Sequence, residues 1–198
     1  MSRRLVLASQ SPRRADVLRQ LGLAPEIEPA DIDESERPGE DPAAYVERLA
    51  REKAEAVAVD PDALYVGGDT TVVSGAAVLA KPGSEEEAVA MLMRLAGGSH
   101  EVLSGIALSS GGRTLSEVAR TTVRMRDFDE ATARAYAATG EPMDKAGGYG
   151  IQGQGAALVE SIDGDYYAVV GFPVAAFLRL LDRGGWRFDF DSIRAADV

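Results

Sequence analysis

The basic residues of the chain are distributed in a way that points to a chemical role for its lysines. Of the 21 lysines and arginines, only Lys53, Lys81 and Lys145 are lysine. Where arginine is favoured almost everywhere, a retained lysine indicates a position that needs a compact ammonium rather than a planar guanidinium. Chance survival is the alternative, and the residues around the three lysines bear on that choice.

A turn at residues 9–14 offers hydroxyls and guanidiniums to an anion. The apolar run before it predicts a buried strand, and the helical spacing after it predicts a helix. Ser11 is the predicted N-cap, with Pro12 at the first helical position. Free backbone N–H groups at such a terminus, together with Arg13 and Arg14, form a site for a phosphate. A well-capped surface helix with two solvated arginines is the alternative.

Lys53 is predicted to lie on or beside the apolar face of a long helix, residues 43–59. It follows Tyr45, Leu49 and Ala50 at helical spacing, and the preceding Asp-Pro pair suits a helix start. A lysine at this position either extends its ammonium to solvent along the apolar surface or reaches into a cleft.

Asp69 follows a predicted strand, residues 63–68, that ends in two glycines. A carboxylate at the carboxyl end of a buried strand lies where open α/β sheets place their chemistry. An aspartate that only stabilises a turn is the alternative.

The other two lysines belong to polar loops in the second half of the chain. Lys81 leaves a predicted hairpin, residues 72–80, and Lys145 lies in a glycine-rich segment, residues 140–153. That segment also carries Asp144 and Gln152, so a functional loop is favoured over a plain linker. An ion pair between Asp144 and Lys145 that orders the turn is the alternative to a direct role.

The remaining pattern predicts interleaved strands and helices, with hairpins in the second half. This is typical of an α/β fold, bordering on α+β, with a mixed twisted sheet flanked by helices. We expect one domain over residues 1–182 and a C-terminal tail, residues 183–198, in which Trp186 packs. Further strands are predicted at residues 24–29, 100–103, 106–110, 114–126, 157–162 and 166–170, and further helices at residues 84–95, 129–139 and 173–181.

Composition excludes several classes of function. The net charge of −11 makes long nucleic acid an unsuitable partner. The chain has no cysteine and a single histidine, His100, so thiolate chemistry and multi-histidine metal sites are excluded. Any metal would be bound by oxygen, which favours Mg²⁺ or Mn²⁺. No apolar run has the length of a membrane span, and the N-terminus does not resemble a signal peptide. The absence of cysteine fits a cytoplasmic protein.

Several segments together resemble the motifs of the Maf family of nucleoside triphosphate pyrophosphatases. The resemblance extends from Leu5 to about Leu181, with the segments in family order: residues 9–14, 48–54, 68–70, 81–82, 141–147 and 149–153. It implies a cytoplasmic, often dimeric enzyme with two lobes around a central cleft and a fold similar to that of inosine-triphosphate pyrophosphatases. The implied reaction is hydrolysis of a nucleoside triphosphate to the monophosphate and pyrophosphate.

The branch of the family that acts on dTTP and UTP matches best. The resemblance links Arg13, Thr70 and Gln152 to the choice of base. The branch that acts on 7-methyl-GTP is the nearer competitor. Two residues depart from the family pattern: Gly148 stands where alanine is commoner, and Thr71 stands where an apolar residue is usual. Either departure would loosen the base pocket.

The mechanistic hypothesis assigns a role to each polar group. Asp69 is the general base, and the resemblance places Glu34 beside it as the partner for a divalent cation, Mg²⁺ or Mn²⁺. Lys53 and Lys81 join Asp69 as catalytic residues by neutralising the phosphates. The residues expected to bind substrate are Ser9, Ser11, Arg13, Arg14, Thr70, Asp144, Lys145 and Gln152.

A nucleotide-binding regulator of cell division is the alternative class of function. Such a sensor would need the cations but no carboxylate that activates water. The feature that discriminates the two classes is the pair of Asp69 and Glu34. For Asp33 and Glu36, in the same acidic loop, a solvated surface position is the alternative. His100 is expected to pack or bond locally.

Overall fold

The fold is that of a computed structural model, which describes residues 3–196. The elements within that range are helices α1 Pro12–Gln20, α2 Pro42–Ala56, α3 Glu85–Leu95, α4 Glu130–Ala137, α5 Tyr166–Val170 and α6 Val174–Gly184, and strands β1 Leu5–Leu7, β2 Glu26–Ile27, β3 Leu64–Ser74, β4 Ala77–Leu79, β5 Ser99–Ser110, β6 Arg113–Met125, β7 Val159–Asp163, β8 Trp186–Phe188 and β9 Ile193–Ala195. Three short 3-10 turns lie at Glu141–Asp144, Ala146–Gly148 and Gln154–Leu158.

Seven strands form one mixed sheet. The strand order is β2-β1-β3-β5-β6-β7, with β4 paired to β3. β1 runs parallel to both β2 and β3, whereas the β3–β4 and β6–β7 pairs are antiparallel. With helices alternating along the chain, this confirms the predicted α/β class and the mixed sheet. No helix within residues 3–196 combines the length and apolar character that a membrane span requires.

The chain divides into two compact units at points inside the long strands β3, β5 and β6 and at the end of α5. The first unit contains the described residues up to Asp69, Ser104–Ala119 and those from Gly171 onward. The second contains Thr70–Leu103 and Arg120–Val170. Each buries an apolar cluster, which includes Val6, Ala63 and Tyr65 in the first unit and Leu92, Val123 and Met125 in the second.

Helix α2 forms where the sequence predicts it, because its start is well capped. The Asp41 carboxylate accepts hydrogen bonds from the N–H groups of Ala43 and Ala44, and Pro42 occupies the first turn. Its buried face includes Leu49 and also Lys53. The lysine therefore lies on the apolar side of the helix, as expected.

Glycines that the sequence suggests as strand ends lie inside strands instead. β3 continues through Gly67 and Gly68, and β5 continues through Gly105. A Cβ atom at Gly67 would overlap the carbonyl oxygen of Ala50, and one at Gly105 would overlap that of Val46. These glycines let α2 approach the strands closely. The predicted strand end at residue 68 and the predicted break between residues 103 and 106 were therefore wrong.

The segment at residues 166–170 is a helix, not the second strand of a hairpin. Its aromatic and β-branched residues predict a strand. However, one carboxylate oxygen of Asp165 accepts a hydrogen bond from the N–H of Tyr167 at 2.8 Å, which starts a helical turn. β7 pairs with β6 instead.

The C-terminal residues, where the sequence has no clear pattern, form a two-stranded hairpin of β8 and β9. Trp186 packs against Gly184, where a Cβ atom would overlap the indole ring. Near the N-terminus, the strand predicted at residues 24–29 is shorter than expected and comprises only Glu26–Ile27.

Candidate active site

A lysine between two carboxylates forms the centre of the candidate site in the first unit. The Lys53 Nζ atom lies 2.8 Å from Asp69 Oδ1 and 2.9 Å from Glu34 Oε1. The side chains of Lys53 and Asp69 are only 9% and 13% exposed, whereas that of Glu34 is 55% exposed. The ammonium therefore reaches buried and half-exposed carboxylates rather than extending to bulk solvent.

Asp69 lies beyond the part of β3 that pairs with β1, although the strand continues. The last parallel pair between β1 and β3 joins Leu7 and Val66, and Asp69 follows further along β3. Glycine at position 68 leaves space beside this part of the strand, where a Cβ atom would come within 3.3 Å of Arg14 Nε. Asp69 therefore lies inside β3, past its pairing with β1, and not at the end of a strand as the sequence predicts.

The loop that carries Glu34 is attached to α2 by two side chains that the sequence analysis missed. Tyr45 donates a hydrogen bond from its hydroxyl to the Glu34 carbonyl at 2.9 Å. Arg48 donates to the Ser35 carbonyl at 3.1 Å and to both oxygens of Glu40 at 2.6 and 2.7 Å. The signal was present in the helical spacing, because Tyr45 and Arg48 are three residues apart and so share a face.

The electrostatics of this loop follow from these contacts. Hydrogen bonding to Arg48, opposed by burial, lowers the pKa of Glu40 to about 2. Burial, together with the negative charges of Asp69 and Glu34, raises the pKa of Tyr45 to about 12. Tyr45 is therefore a neutral hydrogen-bond donor near pH 7, and Glu40 is ionised.

The start of α1 forms the expected turn with well-anchored polar groups. Arg14 donates from Nη1 to Ser9 Oγ and from Nε to the Gly171 carbonyl, both at 2.9 Å. Ser11 occupies the N-cap position, but its side chain makes no capping bond; instead its N–H donates to Ser9 Oγ at 3.2 Å. Burial lowers the pKa of Arg14, and the charge of Asp69 opposes this shift. Arg14 is thus an anchored cation rather than a solvated surface arginine, and Arg13 is half-buried.

The second unit contains the remaining predicted residues. The Lys145 ammonium donates to Asp144 Oδ1 and to the Glu141 carbonyl, both at 2.6 Å, so the ion pair considered for this turn is present. Thr70 is half-buried, whereas Lys81 and Gln152 are exposed.

The carboxylates of the first unit suit a divalent cation. Glu34 and Asp69 each direct an oxygen at one positive atom, the Lys53 ammonium. In residues 3–196, no group of three or more histidine, cysteine, aspartate or glutamate side chains is arranged to bind a metal. Two carboxylates are nevertheless a usual protein contribution to a Mg²⁺ site, where phosphate oxygens and water complete the shell.

His100 is a packing residue in this structure, as expected. It is 3% exposed, and its Nε2 lies 2.7 Å from the Tyr149 hydroxyl. Burial lowers the pKa of His100 to about 4, so the ring is neutral at pH 7.

Comparison of the sequence with known proteins assigns the chain to a family. A family described as Maf-like protein matches residues 4–184. A protein of Anaeromyxobacter dehalogenans strain 2CP-1 named dTTP/UTP pyrophosphatase is 49% identical over 94% of this chain and 96% of its own length. Proteins of the same name from Symbiobacterium thermophilum and Koribacter versatilis are 47% and 44% identical, over 92% and 91% of this chain and 94% of their own lengths. The chain belongs to the Maf family.

Proposed function

We propose that the protein is a nucleoside triphosphate pyrophosphatase that hydrolyses dTTP and UTP. The observation that carries this proposal is the buried Lys53 ammonium between Asp69 and Glu34, which combines a base, a cation and a metal-compatible pair of carboxylates. Relatives named dTTP/UTP pyrophosphatase, 44% to 49% identical over more than nine tenths of the chain, support the substrate.

The proposed reaction is attack of water on the α-phosphorus. A new P–O bond forms there, the bond to the oxygen that bridges the α and β phosphorus atoms breaks, and pyrophosphate leaves. Asp69 accepts the proton of the attacking water, and the products are the nucleoside monophosphate and pyrophosphate. Lys53 holds Asp69 in place and opposes the negative charge that develops as the bond breaks.

Glu34 and Asp69 are the residues that would bind the divalent cation, Mg²⁺ or Mn²⁺. A bound ion supplies charge neutralisation of the phosphate groups and polarises their oxygens. Tyr45 and Arg48 support this function indirectly, because they hold the loop that presents Glu34.

The start of α1 is proposed to bind phosphate oxygens. Arg14 is held by Ser9 and Gly171 with its charge near Asp69, and Ser11 leaves its hydroxyl unused by the helix. Backbone N–H groups at this helix start add to the positive potential.

The second unit is proposed to contribute to substrate binding and to the choice of base. Thr70 and Gln152, together with Arg13, are the proposed base-selecting residues, and Lys81, Asp144 and Lys145 are proposed to act on the phosphates. We further propose a cytoplasmic homodimer, in keeping with the family resemblance.

A nucleotide panel tests the proposal. The purified protein is supplied with dTTP, UTP, CTP and 7-methyl-GTP, each with Mg²⁺ or Mn²⁺, and the products are resolved by chromatography. We expect pyrophosphate and the monophosphate, fastest from dTTP and UTP. Preference for 7-methyl-GTP would assign the protein to the competing branch, and orthophosphate release would contradict the mechanism. Tight nucleotide binding without turnover under either metal would favour a sensor.

A further inference from the structure

We propose that Glu141 is a positioning residue for the substrate site. It positions this site by holding two separate parts of the glycine-rich segment. Its carboxylate holds the turn at residues 150–155, which carries Gln152. Its backbone carbonyl holds the ammonium of Lys145. This inference rests on the proposed function, because it assigns these two residues to nucleotide binding.

The carboxylate of Glu141 accepts three hydrogen bonds. Oε1 accepts from the Tyr136 hydroxyl at 2.8 Å and from the N–H of Gly155 at 3.1 Å, and Oε2 accepts from the N–H of Gln154 at 2.8 Å. The Tyr136 hydroxyl in turn accepts from the N–H of Gly150 at 3.0 Å. Both ends of the turn are therefore attached to one acid, directly at residues 154 and 155 and through Tyr136 at residue 150.

The charge states suit this arrangement. Burial would raise the pKa of Glu141, but the hydrogen bonds from Gly155, Gln154 and Tyr136 outweigh it, so the net pKa is lowered. Burial and the hydrogen bond to Glu141 raise the pKa of Tyr136. At neutral pH the acid is ionised and accepts, and the phenol is neutral and donates. Hydrogen bonds to a charged acceptor are among the stronger ones in proteins.

Lys145 depends on the same residue through its backbone. The Glu141 carbonyl accepts from the Lys145 ammonium at 2.6 Å, while Asp144 accepts through its carboxylate. The side chain of Lys145 is only 16% exposed. The position of this cation is thus set by the short 3-10 turn that begins at Glu141.

The glycines of the turn are explained by close packing against these side chains. A Cβ atom at Gly153 would overlap the Glu141 carboxylate, and one at Gly150 would overlap the aliphatic chain of Lys145. Neither glycine has a left-handed backbone conformation, so conformational freedom does not require them. The glycines let the backbone approach Glu141 and Lys145, and the exposed Gln152 between them is presented by a held backbone.

The test replaces Glu141 by its isosteric amide. In Glu141→Gln the oxygen can still accept from some of the donors, but the new NH₂ group cannot accept from an N–H. We expect KM for dTTP to rise roughly tenfold, the size of one lost charged hydrogen bond, with kcat changed much less. The reason is that the loosened turn binds substrate, whereas the base and its lysine lie in the first unit.

Two further variants complete the design. Tyr136→Phe removes the hydroxyl that links Gly150 to Glu141, and it should raise KM in the same direction by a smaller factor. Glu130→Gln is the matched control, since Glu130 forms an exposed ion pair with Arg134 in α4 and has no part in the turn. The control should match the wild type in both KM and kcat.

A second measurement is independent of turnover. Hydrogen exchange of the Gln154 and Gly155 amides should be slow in the wild type and clearly faster in Glu141→Gln, with exchange in the core of α3 unchanged. An unchanged exchange rate at these amides overturns the inference. So does a fall in kcat at constant KM that follows a lowered melting temperature, because that describes general destabilisation. If the wild type releases no pyrophosphate from any nucleotide, the proposed function fails and with it the link to substrate, whereas faster exchange would still show that Glu141 holds the turn.

Discussion

The two units of the molecule use a carboxylate in opposite ways. In the first, Asp69 and Glu34 face the end of a flexible lysine chain, so their partner is an ammonium that can exchange contacts. In the second, Glu141 faces mainly backbone N–H groups, which cannot move independently. Residue type alone therefore does not identify a reactive acid. In the proposed mechanism the carboxylates that face the Lys53 ammonium carry the chemistry, whereas Glu141, held mainly by backbone donors, holds structure.

The largest effect is expected from Asp69→Asn. The amide keeps the shape but cannot accept a proton from water, and general bases contribute about 10²- to 10⁴-fold in rate. We expect kcat to fall within that range while KM changes little, as measured by pyrophosphate release.

The matched control for that variant is Asp62→Asn, because the side chain of Asp62 is 91% exposed in the same unit. The control should retain wild-type turnover. If Asp69→Asn kept the wild-type kcat, Asp69 would not be the base, and the proposed difference in role between Asp69 and Glu141 would be contradicted.

The next largest effect is expected at Lys53. Lys53→Met leaves two carboxylates without their shared cation, and the loss of one charge-stabilising donor typically costs about 10²- to 10³-fold in kcat. Lys53→Arg tests whether a compact ammonium is required, and we expect it to restore less than a tenth of the wild-type rate, since a planar guanidinium does not fit the same two contacts. Full activity of Lys53→Arg would show that charge alone suffices.

The pH dependence of stability should differ between the units, and the larger response belongs to the second. Burial lowers the pKa of His100 to about 4 from an ordinary value of 6.5. The unfolded chain binds this proton more readily than the folded protein does. The contribution of the neutral imidazole to the free energy of unfolding is therefore fully present above pH 6.5, and up to about 3 kcal/mol of it is lost as the pH falls toward 4.

Denaturant unfolding of the wild type and of His100→Gln over pH 4 to 7.5 checks this expectation. The slope of stability against pH between 6.5 and 4 should be smaller in the variant, whatever its absolute stability. Equal slopes would show that the imidazole is not responsible.

The smallest effect is expected in the first unit at lower pH. Arg48 lowers the pKa of Glu40 to about 2 from an ordinary value of 4.5. The pair therefore stabilises the fold above pH 4.5 and loses this contribution as the pH falls toward 2. The melting temperature of the wild type should exceed that of Arg48→Met at pH 7, and the gap should narrow below pH 4.5. Arg19→Met, which removes an exposed pair with Asp16, should show no such narrowing.

The sequence predicted the buried position of Lys53 better than it predicted the strand boundaries. Lys53 was placed on the buried face of α2 by helical spacing alone, and Glu34 came from the family resemblance. The predicted strand boundaries were wrong at Gly67 and Gly105. A glycine that allows a helix to pack closely cannot be distinguished in the sequence from a glycine in a turn until the position of the neighbouring helix is known. The strand predicted at residues 166–170 was wrong because a single capping contact from Asp165 outweighed the strand propensity of these residues.

The supporting contacts could not be predicted for a related reason. Tyr45 and Arg48 bind backbone carbonyls of a loop that has no regular structure, and Glu141 binds N–H groups 13 and 14 residues away. Such contacts depend on the path of the backbone, which periodicity does not specify.

The most direct test of the central claim is the hydrolysis of dTTP in water enriched in ¹⁸O, with the products analysed by mass spectrometry. If the Lys53 centre directs water to the α-phosphorus, one ¹⁸O atom appears in dTMP and none in pyrophosphate. Incorporation of ¹⁸O into pyrophosphate, or release of orthophosphate, would contradict the account.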